Sequence, residues 1–123
     1  MTRSKYHNIK TADSASKKEA RRKKQLELME RAGVIRKLRC QVPYELIPAQ
    51  YEPDIIGKRG GKKRGRCMER SAVYVADFVY EERSGDGWIE IVEDSKGYRT
   101  KDYVLKRKMM LFLKGIRIRE TKA

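Results

Sequence analysis

The sequence has little of what zinc-binding, disulfide-stabilised or membrane proteins need. Its 123 residues include two cysteines, Cys40 and Cys67, and one histidine, His7. A structural zinc site takes four Cys or His ligands, so zinc is excluded and both cysteines are expected to be free thiols. No run of about 18 apolar residues is present, which excludes a membrane-spanning helix. The N-terminus lacks the apolar stretch of a secretory signal, and we therefore expect a cytoplasmic protein.

Acidic residues are scarce relative to basic ones. The chain holds 17 Asp and Glu against 31 Lys and Arg, a net charge of +14 at pH 7, while 39% of its residues are hydrophobic. That hydrophobic share is enough for one folded domain with a core. A positive surplus of this size predicts binding to a polyanion. Nucleic acid is favoured over a membrane surface, because membrane binding needs a helix with a bulky apolar face and none is evident.

The pattern of apolar residues predicts two helices and four strands. We expect a flexible basic N-terminal segment over residues 1–14 and one folded domain over 15–123. The predicted elements are a helix over 15–32, a strand around 38–46, strands over 72–81 and 88–94, a helix over 101–113 and a strand over 116–120. Residues 50–70 hold four glycines among seven basic residues and are expected to form a binding loop.

Turn and cap residues set the expected connections. The predicted boundary residues are Ser14 or Ser16 and Gly33 for the first helix, Gly97 after the third strand, and Thr100 and Gly115 for the second helix. The turn chemistry of residues 84–87 predicts antiparallel neighbours, and the final strand–helix–strand unit predicts a parallel pair. Pro43 indicates that the first strand lies at a sheet edge or carries a bulge. The expected fold class is therefore α/β (α+β with a mixed sheet), in the order α-β-β-β-α-β.

Two short acidic motifs stand at the ends of neighbouring predicted strands. By strand alternation Asp77 shares a face with Val79, and Asp94 shares one with Lys96, while Glu93 points the other way. Two carboxylates that meet at one end of a sheet suit Mg²⁺, and a nearby lysine can orient a water or neutralise a phosphate oxygen. The motifs therefore predict metal-dependent cleavage of a phosphodiester. A turn residue and a plain charge pair are the structural alternatives.

Glu19 adds a third carboxylate on the first helix. It lies on one helical stripe with Leu26 and Met29, so its side chain is expected to point inward and toward the same metal. The alternative is a capping box, in which Ser16 and Glu19 satisfy backbone groups at the helix start. Both interpretations stay open from the sequence.

Glu19, Asp77 and Asp94-Ser95-Lys96 together resemble the PD-(D/E)xK nuclease superfamily. That superfamily has a restriction-endonuclease-like α-β-β-β-α-β core, with an acid on the first helix, an Asp on the second strand and (D/E)-x-K on the third. The wider text, KYHN, SKKEARR, YVADF and VEDSKG, looks like small phage-encoded nucleases of this type over roughly residues 5–120. The resemblance implies that residues 15–123 form a nuclease-like domain.

The resemblance also implies roles for these residues in hydrolysis that depends on Mg²⁺ or Mn²⁺. Asp77 and Asp94 would hold the metal, Glu19 would assist directly or through water, and Lys96 would position the nucleophile. Two positions depart from the family pattern, since Ala76 stands where Pro is common and Asp94 where Glu is more usual. Neither departure removes a ligand.

Basic residues come in three blocks that are expected to contact phosphates. The candidates are Lys17, Lys18, Arg21 and Arg22 on the first helix, Lys58, Arg59, Lys62, Lys63, Arg64 and Arg66 in the loop, and Lys101, Lys106 and Arg107 on the second helix. No helix-turn-helix or zinc-finger pattern is visible, so we expect recognition of DNA shape. Small basic superfamily members are similar to archaeal Holliday junction resolvases and to the phage endonuclease I type, which act on branched DNA as homodimers.

Three functions follow from these observations. The leading hypothesis is a phage-encoded, structure-specific DNA endonuclease of the Holliday junction resolvase kind, acting in DNA recombination in the host cytoplasm. The alternative is a non-catalytic nucleic-acid-binding protein with a degenerate nuclease fold. A small basic protein associated with ribosomes or assembly is the third hypothesis.

Overall fold

The computed structural model describes the backbone of residues 2–96 and 98–122 and the side chains of 16–96 and 98–122. Its elements are α1 (Thr2–Arg31), β1 (Ile35–Ile47), β2 (Gln50–Tyr51), β3 (Ile55–Ile56), β4 (Lys62–Lys63), β5 (Cys67–Glu69), β6 (Ala72–Ser84), β7 (Gly87–Ser95), α2 (Lys101–Lys114) and β8 (Arg119–Thr121). The predicted order α-β-β-β-α-β is present, with four short strands added between β1 and β6. The strand break predicted at Gly97 lies outside the described residues.

The main sheet is mixed, as predicted. Its strand order is β1-β6-β7-β8, with β1 and β7 antiparallel to β6 and with β8 parallel to β7. The prediction of a βαβ unit formed by β7, α2 and β8 is confirmed. The Pro43 prediction is also confirmed, because β1 lies at the sheet edge, where a residue without an N–H is tolerated. The chain turns between β6 and β7 at Ser84 and Gly87, which are paired.

Apolar side chains form two clusters, one with each helix. The cluster with α1 contains Leu26, Ile35, Phe78, Tyr80 and Ile91. The cluster with α2 contains Leu46, Tyr74, Ala76, Val79, Val92, Tyr103, Met110 and Ile118. Both clusters draw on β6 and β7, which explains why these two strands read as densely apolar in the sequence.

The helix ends follow the predictions except at the start of α1. That helix begins at Thr2, so residues 2–14 belong to it and neither Ser14 nor Ser16 is its N-cap. The Thr100 side chain accepts a hydrogen bond from the Tyr103 N–H at 3.1 Å, which confirms the cap of α2. Gly33 and Gly115, with φ values of 79° and 66°, end the two helices in the left-handed conformation as predicted.

The segment predicted to be a loop over 50–70 is instead a paired arm. β2 pairs with β5 and β3 pairs with β4, both antiparallel, so two ladders follow one another along the chain. The turn at the tip is closed by a hydrogen bond of 2.8 Å from the Gly57 N–H to the Gly61 carbonyl. The glycine-rich sequence concealed this pairing, because strands of two or three residues carry no periodic signal. We refer to residues 50–69 as the β-arm.

Two exclusions made from the sequence are consistent with the structure. Cys40 and Cys67 are both exposed and free, as predicted. Within the described part of the chain, neither helix is both long enough and apolar enough to cross a bilayer.

Candidate active site

Asp94 is the buried carboxylate of the candidate site, at the end of β7 with 1% of its surface exposed. The Tyr74 hydroxyl donates a hydrogen bond to Asp94 Oδ2 at 2.6 Å. Lys96 Nζ lies 3.2 Å from Asp94 Oδ1, at ion-pair distance. Among the described residues, however, no donor meets Oδ1 with hydrogen-bond geometry. Oδ1 is therefore balanced by the Lys96 charge at ion-pair distance and not by a well-aligned hydrogen bond.

The environment of Asp94 perturbs its ionisation. Burial raises the pKa of Asp94 to about 6, because the charged form is disfavoured away from water. The Tyr74 hydrogen bond and the Lys96 ammonium oppose this increase, whereas the negative charge of Asp77 adds to it. Burial and the contact with Asp94 also raise the pKa of Tyr74, so its hydroxyl keeps the proton that it donates.

Asp77 lies where the side-chain alternation of β6 changes phase. Ala76 and Val79 pack in the cluster with α2, whereas Phe78 packs in the cluster with α1. Regular alternation would put Ala76 and Phe78 on one face. The strand is therefore irregular between Ala76 and Phe78, and that Asp77 shares a face with Val79 stays a prediction.

Two further contacts hold Asp77 and Lys96 against Asp94. Asp77 Oδ2 accepts a hydrogen bond of 2.9 Å from the Ser95 backbone N–H, which ties Asp77 to the end of β7. Lys96 Nζ lies 4.5 Å from the centre of the Tyr103 ring, a cation–π distance that orients the ammonium. The structure thus brings Asp77 beside the Asp94 and Lys96 pair, as the antiparallel turn between β6 and β7 predicts.

Glu19 lies in the interior of α1, on the side of Asp77. Because α1 begins at Thr2, Glu19 is not near a helix start and the capping-box alternative is wrong. Glu19 Oε1 accepts a hydrogen bond of 2.6 Å from the Gln41 side-chain amide. Burial raises the pKa of Glu19, and the negative charge of Asp77 raises it further, so the two carboxylates interact. Gln41 has a left-handed backbone with φ of 53°, an arrangement with no sequence signal.

The carboxylate oxygens of Glu19, Asp77 and Asp94 are ligands that a hard cation prefers, but the three side chains do not surround one point. Within residues 16–96 and 98–122, no three Asp, Glu, Cys or His side chains are grouped so that they could hold one metal ion. The expected assembly of Glu19, Asp77 and Asp94 around a single ion is therefore not seen in this geometry. Mg²⁺ does not need three protein carboxylates, since it usually binds through one or two carboxylates together with waters and substrate phosphates. The neighbouring carboxylates of Asp77 and Asp94 fit this way of binding Mg²⁺.

A second buried carboxylate, Glu93, lies next to the site on the opposite side of β7, as alternation predicts. Arg22 of α1 donates two hydrogen bonds to it, at 2.8 Å from Nε and 2.9 Å from Nη2. The hydroxyls of Tyr80 and Thr121 add bonds at 2.6 and 3.3 Å. Burial alone would raise the pKa of Glu93, but the Arg22 and Tyr80 bonds hold it below its ordinary value. The sequence did not reveal this network, because its partners lie far apart along the chain.

The predicted DNA-contact residues divide into two groups. Arg22 pairs with Glu93, Arg66 with Glu52, Lys106 with Asp102 and Arg107 with Glu120, and Arg64 stacks on Tyr51. Arg22 is thus a structural residue, since its guanidinium is taken up inside the fold. The candidates whose side chains are exposed are Lys17, Lys18, Arg21, Lys58, Arg59, Lys62, Lys63 and Lys101, together with Arg64 and Arg66 despite the contacts named above.

The fold and the site define a small, basic, single-domain α+β protein with neighbouring acidic residues on the adjacent strands β6 and β7. The chain belongs to the DUF1064 family: the family model, described as "Protein of unknown function (DUF1064)", matches residues 3–120. No curated protein and no solved structure matches the sequence.

Proposed function

We propose that this protein is a metal-dependent DNA endonuclease that hydrolyses phosphodiester bonds and prefers branched DNA, such as a Holliday junction. The observation that carries the proposal is Asp94, a buried carboxylate that lies beside Asp77 and has the Lys96 ammonium 3.2 Å from its Oδ1. The resemblance to PD-(D/E)xK nucleases supports it, and a net charge of +14 favours a polyanionic substrate.

Each residue of the candidate active site has a role under this proposal. Asp77 and Asp94 would hold Mg²⁺ or Mn²⁺, which when bound supplies positive charge at the phosphate and acidifies a bound water. The Tyr74 hydroxyl fixes the orientation of the Asp94 carboxylate. Lys96 lies between Asp94 and the Tyr103 ring. Its ammonium would orient the attacking water or neutralise a phosphate oxygen. Glu19, outside the direct pair, would act through a water.

A cleavage assay tests the proposal. Four-way junction, flap, linear duplex and single-stranded DNA are incubated with the protein in Mg²⁺, in Mn²⁺ and in EDTA. We expect cleavage of branched DNA in either metal, none in EDTA, and a loss of roughly 100-fold or more in Asp94→Asn and Lys96→Ala. Asp86→Asn makes the same chemical change at an exposed turn and should keep full activity. Full activity in Asp94→Asn would disprove the site.

One observation favours a non-catalytic alternative, namely the lack of a three-ligand metal group among the described side chains. Under that alternative, the protein binds nucleic acid through its basic surface and cuts nothing. It predicts no cleavage in either metal and DNA binding that survives Asp94→Asn and Lys96→Ala.

We also propose that the protein is phage-encoded, works in the host cytoplasm and acts as a homodimer, because a four-way junction needs two symmetric cuts. Light scattering after size-exclusion chromatography, with and without a four-way junction, tests the dimer. A mass of one chain per junction would contradict it.

A further inference from the structure

The β-arm is a preformed ladder that stands apart from the rest of the described fold. Its strands pair with one another, and none of them makes more than slight contact with the main sheet or with either helix. The two sides approach closely at Gly65, where an added Cβ would lie 2.2 Å from the Glu52 carbonyl oxygen. The Glu52 N–H donates a hydrogen bond of 2.8 Å to the Arg66 carbonyl at the same place. Gly65 is thus required for the ladder to close.

The tip of the β-arm carries apolar and cationic side chains in register. Ile55 pairs with Lys63 and Ile56 with Lys62. Directly opposed residues of an antiparallel pair share a face, so each face of the tip presents one isoleucine and one lysine. The isoleucines are 55% and 79% exposed, although residues of this kind are normally buried. The tip therefore has an apolar edge flanked by positive charge on both faces.

The charge of the β-arm indicates the kind of partner that covers this edge. Residues 50–69 contain six Lys and Arg and three Asp and Glu, which leaves a net charge of +3. The turn adds Lys58 and Arg59, both exposed, directly beyond the isoleucines. Arg64 stacks on the Tyr51 ring at 4.1 Å near the base of the β-arm. A polyanion that also offers apolar surface matches this combination, and unpaired DNA bases flanked by phosphates provide both.

We propose that the tip of the β-arm enters branched DNA at the branch point, with Ile55 and Ile56 packed against unstacked bases and Lys62 and Lys63 on the adjacent phosphates. Apolar side chains inserted at a base step are a known way of holding DNA open, and a flexible or already unpaired step costs least to open. The proposal takes its substrate class from the proposed function. It does not depend on chemistry at Asp94.

The test measures base unstacking without cleavage. Asp94→Asn protein in EDTA is mixed with a four-way junction that carries 2-aminopurine at the branch point. We expect binding to raise the fluorescence. Adding Ile55→Ser with Ile56→Ser should abolish the increase and weaken junction binding about tenfold, the effect of losing roughly 1.4 kcal/mol of apolar burial, with linear duplex affinity kept within about twofold. Ile89→Ser, at an exposed isoleucine of β7, is the matched control and should change neither value.

A glycine pair tests whether the ladder itself matters. Gly65→Ala forces a backbone clash, whereas Gly61→Ala meets no atom within 4 Å of its Cβ. Gly65→Ala should abolish the increase in fluorescence, whereas Gly61→Ala should keep it. Equal weakening of junction and duplex binding in the double isoleucine variant would overturn the proposal. So would unchanged DNA binding with lost binding to phosphatidylserine vesicles, which would identify a membrane surface as the partner.

The two proposals fail separately. Loss of the fluorescence increase in the isoleucine variant, with no cleavage by the parent protein, supports the tip and contradicts the nuclease. Metal-dependent cleavage, with no fluorescence change on binding, supports the nuclease and contradicts the tip.

Discussion

Replacing Arg22 by methionine removes the guanidinium that neutralises Glu93 while keeping much of the side-chain volume. Two charge-assisted hydrogen bonds of 2.8 and 2.9 Å are lost. Glu93 has no exposed side-chain surface, whereas Arg22 is 19% exposed, so the carboxylate stays buried without its partner. Removing one member of a buried pair costs about 3–5 kcal/mol. We expect the lower end, about 3 kcal/mol, because the hydroxyls of Tyr80 and Thr121 still donate to Glu93.

Urea unfolding followed by circular dichroism measures this loss. A destabilisation of about 3 kcal/mol corresponds to a fall in Tm of roughly 10 °C for a domain of this size. Arg21→Met changes an exposed neighbour and should stay within about 0.5 kcal/mol of the parent. Adding Glu93→Gln to Arg22→Met should recover part of the loss, because the uncompensated charge disappears. If Arg22→Met is as stable as Arg21→Met, the ion pair is not what joins α1 to β7.

Two further predictions concern Tyr74 and Glu120. Tyr74→Phe leaves Asp94 Oδ2 without its 2.6 Å donor, so the free energy of unfolding should fall by about 1–2 kcal/mol, and no change in the urea midpoint would contradict this. Arg99 above all lowers the pKa of Glu120, to about 2. Because the folded-state pKa is depressed, the stabilisation from Glu120 is fully present above its unfolded pKa of about 4.3 and is lost as pH falls toward 2. Glu120→Gln should flatten the decline in stability measured between pH 5 and 2, and an unaltered decline would refute the assignment.

The parts of the fold that local signals specify were predictable. Thr100 and Gly115 bound α2 because a hydroxyl cap and a left-handed glycine have chemical requirements that few residues meet. The parallel pair of β7 and β8 followed from the handedness of a strand–helix–strand connection. Strand alternation placed Glu93 away from Asp94, as the structure shows.

What depends on distant partners was not predictable. Nothing near Arg22 marks it as different from neighbouring basic residues, and Glu93 lies 71 positions away. Gln41 reaches Glu19 from a left-handed backbone conformation that has no residue signature. The start of α1 was missed because residues 2–14 lack an apolar stripe, and the β-arm because its pairing is set across the hairpin and not along the chain.

Glu93 and Asp94 lie on opposite faces of β7, where Arg22 bonds one carboxylate and Tyr74 the other. Each face could accept either acid, so the charges alone do not fix the register of β7. A one-residue slip exchanges the faces of every side chain. Moving Asp94 to the Arg22 side would bring Ser95 beside Tyr74, and moving Glu93 to the Tyr74 side would bring Val92 to Arg22. Either error keeps one acid satisfied. The two-residue turn at Gly85, whose φ of 58° suits a type II′ hairpin, therefore adds to the apolar pattern in fixing a register that the charges alone would leave open.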